Sequence, residues 1–168
     1  MPLILRQLTK DDKISFTNSL LDWKTDLIWD IYNWNKDWSY EEMLSVFYNE
    51  HNGISLKDGQ VLNTTLFGFI DNIIVGRLSI RHSLNDNLII YGGHVGYAVS
   101  EKYRNHGIAS DMLRQAIPIC NSFGISKILL TCADDNIASI KVIEKCGGKI
   151  ENIIWNESLK RFTRRYWI

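Results

Sequence analysis

The chain is poor in the residues that mark specialised architectures. Only 2 of its 168 residues are proline and 11 are glycine, which leaves no proline-rich linker and no low-complexity tract. Its three cysteines, Cys120, Cys132 and Cys146, are widely spaced and contain no Cys-x-x-Cys pair. That pattern excludes a disulfide framework and fits buried thiols in a reducing cytosol. The four histidines, at 51, 82, 94 and 106, add no metal-ligand spacing, so no metal site is expected. Charge of one sign is also missing, because 19 Lys+Arg balance 19 Asp+Glu. The balance argues against a nucleic-acid partner bound by counterion release and against a polybasic membrane anchor. No run approaches the roughly 18 apolar residues of a membrane span, and the first residues lack a signal-peptide layout. There is no Walker A sequence. Gly92-Gly93-x-x-Gly96 lies inside an apolar run rather than at a helix start, which separates it from a dinucleotide fingerprint. The expectation is one cytoplasmic domain over residues 1–168, with no nucleic-acid and no membrane partner.

What is present is ordinary globular material, 45% hydrophobic and 23% charged, long enough to bury a core without staples. Residues 2–8 read as a short strand. Thr9 with Asp12 resembles a capping box and opens a helix over 11–21 with Phe16, Leu20 and Leu21 on one face. Ser39 with Glu42 is a better box, before a helix that buries Met43, Val46 and Phe47 and ends near Gly53. Between them, Trp23, Trp29, Tyr32, Trp34 and Trp38 crowd one stretch. From Asn63 the period changes to that of a hairpin, turning at Asp71-Asn72. Residues 88–99 read as a third long strand with glycines that suggest a bulge. Residues 106–123 read as a helix that Pro118 kinks or interrupts. A buried strand over 127–133, a helix over 136–146 stopped by Gly147-Gly148, and two closing strands complete the chain. The fold class is α+β, with a single mixed, mostly antiparallel sheet flanked by helices.

One segment carries chemistry. After the strand ending at Val99, Arg104-x-x-Gly107-x-Ala109 opens a helix. The free N–H groups and dipole of a helix's first turn suit phosphate oxygens. Gly107 lets the backbone approach such a ligand, Ala109 lets the helix pack tightly, and Arg104 supplies a fixed charge. By itself the segment is equally an ordinary strand–turn–helix with a surface arginine.

The wider pattern resembles the GCN5-related N-acetyltransferase (GNAT) family, whose pyrophosphate signature is Arg/Gln-x-x-Gly-x-Gly/Ala at this turn. The likeness spans essentially the whole chain. It includes the element order, Asn136-x-x-Ser139 opening a helix after the KILLTC strand, and the closing pair of strands. Within the family the chain is similar to an uncharacterised group of predicted acetyltransferases that share blocks seen here at 92–97, 131–139, 147–148 and the terminal RYWI. The resemblance implies acetyl-CoA as cosubstrate. Tyr97, Ala98 and Val99 would offer backbone groups to the pantetheine. Arg104, Asn105, His106, Gly107, Ile108 and Ala109 would hold the pyrophosphate, and Asn136 and Ser139 would lie at the pantetheine or thioester. An N–H around 97–99 is the candidate oxyanion donor. Candidate catalytic groups are His94, as base, and Tyr97. The alternative for His94 is a strand histidine satisfied by a neighbouring backbone or side chain.

Two departures matter. Many members carry a thiolate-protonating tyrosine seven residues after the position of Asn136; here that residue is Ile143, and the usual Gly-Phe that follows is Gly147-Gly148. Either Tyr97, Tyr103 or Tyr166 substitutes, or water does, or no acid is needed, since a thiol of pKa about 8.5 is a tolerable leaving group. Cys132 reads as a structural thiol rather than an acetyl-accepting nucleophile. The aromatic stretch either lines an acceptor pocket, packs the helices on the sheet, or forms a homodimer contact. Arg81, His82, Asp22, Asp26 and Asp30 are candidate acceptor contacts, against a reading as solvated charges. The expected acceptor is a small-molecule primary amine. A protein or peptide amine, or a non-catalytic acyl-CoA-binding module on the same fold, are the alternatives.

Overall fold

The computed structural model describes residues 2–23, 35 and 37–168. Trp29, Tyr32, Trp34, Asp26 and Asp30 lie outside the described residues. The chain opens with β1 (Ile4–Arg6) and a tight turn at Lys10–Asp12 that leads into α1 (Lys13–Ser19). The expected box is present: Asp12 accepts from the Thr9 N–H at 2.8 Å. Phe16 is buried, but Leu21 is 87% exposed. The last turn tightens to a 3-10 turn over Leu20–Asp22, which rotates Leu21 off the face it was expected to share. In α2 (Tyr40–Asn52), Ser39 Oγ accepts from the Glu42 N–H and Glu42 accepts from the Ser39 N–H at 2.7 Å. Gly53, at φ 71°, stops the helix.

β2 (Asn63–Ile70) and β3 (Ile73–Arg81) form the expected hairpin. Its turn residues Asp71 and Asn72 both have positive φ, 52° and 63°, the geometry whose twist matches two antiparallel strands. β1 pairs with β2, and β4 (Val95–Val99) pairs with β3. Beyond come α3 (Ile108–Ser122), β5 (Leu129–Ala133), α4 (Ile137–Lys145), β6 (Lys149–Asn156) and β7 (Arg161–Trp167). Pro118 sits within α3 without interrupting it. On one face of the first sheet, Phe16, Tyr40, Met43 and Phe47 pack against Phe67, Phe69 and Ile74, with Trp38 half-buried beside them. On the other, Met112, Leu113, Ala116 and Cys120 form one stripe of α3 and bury Val75, Leu78, Ile80, Leu130 and Tyr166. Among the described residues, no helix is long and apolar enough to cross a membrane.

The expected sheet is divided. Its ladders are all antiparallel and fall into two groups, β1-β2-β3-β4 and β5-β7-β6. The expected long strand over 88–99 is also shorter. Leu88–Gly92 form a wide helical turn closed by the Gly93 N–H on the Leu88 carbonyl at 2.7 Å. Its carbonyls are held from three other elements. Arg81 donates to Gly92 and Gly93, Thr131 to Tyr91, and Arg165 to Ile89. These long-range bonds satisfy the turn's polar groups and override a local apolar pattern that suits a strand.

Candidate active site

The two sheets meet at one point. Gly93 has φ 67° and ψ −178°, a conformation essentially confined to glycine. A Cβ there would lie 2.5 Å from the Leu129 carbonyl oxygen. The close approach lets the His94 N–H donate to that oxygen at 2.7 Å, while the Leu129 N–H donates to His94 Nδ1 at 2.9 Å. Past this pin, β4 and β5 share no ladder among the described residues, and each pairs on its far edge, with β3 and β7.

Strand alternation decides which groups face the gap. The His94 carbonyl accepts from the Arg81 N–H and the Ser100 N–H donates to Val75, so the even-numbered residues of β4 turn their backbone polar groups to β3. Those of Val95, Tyr97 and Val99 therefore point toward β5. The Val99 carbonyl accepts from Arg104 Nε at 3.1 Å, which fixes that side chain at the end of the strand. Ala98 contributes its side chain to the cleft, but its backbone faces β3 opposite Arg77.

The gap opens into a cleft of about 520 Å³ between β4, the 103–110 turn and the start of α4. At its mouth α3 begins at Gly107, φ 80°, with no side-chain cap. The first-turn N–H groups of Ile108, Ala109 and Ser110 thus have no intrahelical carbonyl to meet. Asn105 also has positive φ, 64°, and His106 Nδ1–H donates to the Arg104 carbonyl at 2.7 Å, folding the turn on itself. Arg104 and Lys141 give the lining positive charge. Across the cleft, Asn136 caps α4 by accepting from the Ser139 N–H at 3.0 Å, and the Ser139 carbonyl receives the Tyr97 hydroxyl at 3.4 Å.

Tyr97, Ala98, Val99, Arg104, Asn105, Gly107, Ile108, Ala109, Asn136 and Ser139 therefore line one cleft. His106 is exposed beside it. Tyr103, Ser110, Ala138, Lys141 and Val142 also line it. Asn136 marks the start of α4 in the sequence, and one further turn of that helix leads to Lys141 and Val142.

His94 has another task. Its Nδ1 lone pair is taken by a backbone N–H and its ring is buried. Burial and the nearby Arg81 charge hold its pKa below the usual value. With Nδ1 accepting, the neutral ring carries its proton on Nε2 and has no lone pair left for a substrate proton. His94 is a pin between the sheets, and the expectation of a base there is corrected. Burial raises the Tyr97 phenol far above its normal range, so the hydroxyl stays protonated. Tyr166 is fully buried with its hydroxyl on Glu144 at 3.2 Å, and it does not line the cleft. Cys132 is buried and its thiol is pushed up to about 11, which removes it as a thiolate nucleophile at neutral pH. Ile143 is 1% exposed. A Cβ on Gly148 would lie 2.4 Å from its Cγ2, so the Gly-Gly stop and this isoleucine pack as a pair. His82 is stacked on Phe123 at 4.1 Å, with Nε2 2.7 Å from Thr64 Oγ1.

A family profile for the acetyltransferase (GNAT) domain matches residues 2–149. The chain belongs to this family, whose acyl donor is acetyl-CoA. It is 33% identical over 90 residues to the L-amino acid N-acetyltransferase AaaT of Escherichia coli, a match covering 51% of this chain and 53% of that protein. The chain thus matches about half the length of that curated relative. Among solved structures it is similar to RimL, a ribosomal-protein alpha-N-acetyltransferase, in complex with coenzyme A. There the TM-score is 0.70 at 17% identity, covering 99% of this chain and 93% of that one. It is also similar to a chimera of the spermidine N-acetyltransferase SpeG from Vibrio cholerae, with TM-score 0.65, 18% identity and coverage of 100% and 95%. At these identities the likeness establishes the fold.

Proposed function

We propose that this chain, as a single domain acting in the cytoplasm, transfers an acetyl group from acetyl-CoA to a primary amine of a small molecule within a ternary complex. The observation that carries the reading is the split between β4 and β5, with an uncapped helix start at its mouth. A pantetheine arm needs paired amides along an open strand edge, and a pyrophosphate needs convergent N–H donors. Tyr97 and Val99 present the edge. Residues 105–109, with the Arg104 charge, present the donors, and Asn136 and Ser139 close the far wall. Acetyl-CoA supplies the acetyl group as a thioester. The Tyr97 N–H is the group of this chain best aimed to stabilise charge on a carbonyl oxygen in the gap. With Ile143 packed in the core, Tyr97 and Tyr103 are the tyrosines on the cleft, and a dedicated acid is dispensable for a thiolate of this basicity.

Thermal unfolding with acetyl-CoA, CoA and ATP tests the cofactor site. At about 100 times Kd, linkage predicts about 2.7 kcal/mol of stabilisation, a midpoint rise of roughly 5–10 °C for a domain of this size. The reading expects the rise with acetyl-CoA and CoA but not with ATP. No rise with either CoA species would remove its support.

A further inference from the structure

A second cavity, of about 240 Å³, lies over β3 on the side of α2 and is lined by Glu50, Asn63, Ser79, Arg81, Asn85 and Asn87 among others. Its position follows from the sheet. Ser79 is paired with Gly96 across β3 and β4. A Cβ on Gly96 would point at Ser79 Oγ (3.7 Å) and at the Arg81 guanidinium nitrogens (3.8 and 3.9 Å). The missing side chain of Gly96 thus lies beneath this polar group. The next residue, Tyr97, turns its backbone into the cofactor gap. The second cavity and the gap are separated by one strand.

The lining carries both signs of charge. Glu50 is half-buried and accepts from Asn63 Nδ2 at 3.0 Å. Burial raises its carboxyl above the ordinary value, opposed by that bond and by the Arg77 charge. Arg81 is anchored on the Gly92 and Gly93 carbonyls and brings a fixed guanidinium to the wall. Ser79, also on the lining, is 1% exposed and its Oγ has no hydrogen-bond partner among the described residues. A buried hydroxyl left unpaired is costly, and a ligand group there would satisfy it.

We propose that this cavity is the acceptor pocket and that it takes a small zwitterionic amine of the α-amino-acid class, its carboxylate toward Arg81 and its ammonium between Glu50 and Ser79 Oγ. The proposal rests on the acetyltransfer reading and assigns its acceptor. The volume is that of about eight waters at about 30 Å³ each, below the range of drug-sized pockets, which suits one small molecule and no polypeptide segment. A polyamine would set a second ammonium against Arg81, a like-charge contact.

The test is calorimetric binding to the CoA-saturated protein of alanine, serine, glutamine, leucine and histidine (all L), the carboxamide of each, butylamine and spermidine, followed by CoA release from acetyl-CoA with the same compounds. The expected result is binding of at least one amino acid at least tenfold tighter than its carboxamide. Glu50→Gln should weaken it at least tenfold while leaving CoA affinity unchanged. Gly96→Ala, whose Cβ makes only ordinary contacts and so leaves the fold intact, should weaken it as well. Preference for butylamine or spermidine, binding of no amino acid, or amino-acid binding equal in wild type and Glu50→Gln would overturn the proposal. Amino-acid binding without CoA release would instead count against acetyl transfer and leave the pocket assignment supported.

Discussion

Replacing Gly93 with alanine should be the most damaging single-methyl change in the chain. The residue's φ of 67° and ψ of −178° cost an L-residue on the order of 1–3 kcal/mol. The added Cβ would also lie 2.5 Å from the Leu129 oxygen and 3.3 Å from Leu130 Cα, both backbone atoms that no rotamer change can move. Relief requires β4 and β5 to separate by nearly an ångström. That breaks the two bonds joining His94 to Leu129, which leaves buried groups unpaired at about 1–3 kcal/mol each. The total is about 3–9 kcal/mol, a large part of the roughly 5–15 kcal/mol that holds a domain together. Gly107→Ala is the internal control. Its φ is similar, 80°, but no heavy atom lies within 4 Å of the added Cβ, so only the left-handed backbone cost of about 1–2 kcal/mol applies. Urea unfolding with linear extrapolation reads both variants. If Gly93→Ala loses less than about 1 kcal/mol, or no more than Gly107→Ala, the sheets are not pinned by this contact and the account of the cleft fails.

Two further outcomes are expected. Asp12 accepts both Arg6 guanidinium nitrogens at 2.7 Å and the Thr9 N–H and hydroxyl at 2.8 Å; the Arg6 bond above all pulls its pKa from 3.8 to about 2. Because the folded value is the lower one, the stabilisation is full above about pH 4 and is lost as pH falls toward 2. Asp12→Asn should therefore cost about 2 kcal/mol at pH 7 and flatten the acid limb of the stability curve, and an unchanged limb would contradict it. Ile143→Tyr, which restores the family's usual residue, should lower stability by about 2–4 kcal/mol through overpacking and a buried hydroxyl rather than raise turnover. A stable and faster variant would show that this helix face reaches the cleft.

The parts legible in the sequence are those decided locally. The Ser39–Glu42 box, the Asp71-Asn72 turn and the Arg104-x-x-Gly107-x-Ala109 helix start each depend on residues within a few positions of one another. The parts misread depend on distant partners. An apolar run such as 88–92 satisfies a strand pattern equally well until Arg81, Thr131 and Arg165 bond its carbonyls. His94 has the chemistry of a base in isolation, and only the Leu129 N–H takes its lone pair away. Glu50 is not distinguished in the sequence, because a carboxylate near the end of an amphipathic helix reads as solvated charge. What distinguishes it is a cavity that β2 and β3 bring to it from far along the chain.

The same remoteness explains how the fold makes a site without a catalytic dyad written in its sequence. An unpaired strand edge is a liability that sheets otherwise cover, and here β4 and β5 are each the last strand of its sheet, with one edge unpaired among the described residues. Gly93 and His94 join them at one end only, while α3 and α4 occupy the far side. The backbone groups of Tyr97 are thus left facing a gap, at whose end the Val99 carbonyl is held by Arg104 Nε. A ligand that supplies amide partners along that edge completes the sheet. Binding and sheet stability are therefore linked through the pin at Gly93, and a change that loosens the pin should weaken cofactor binding and lower folding stability together.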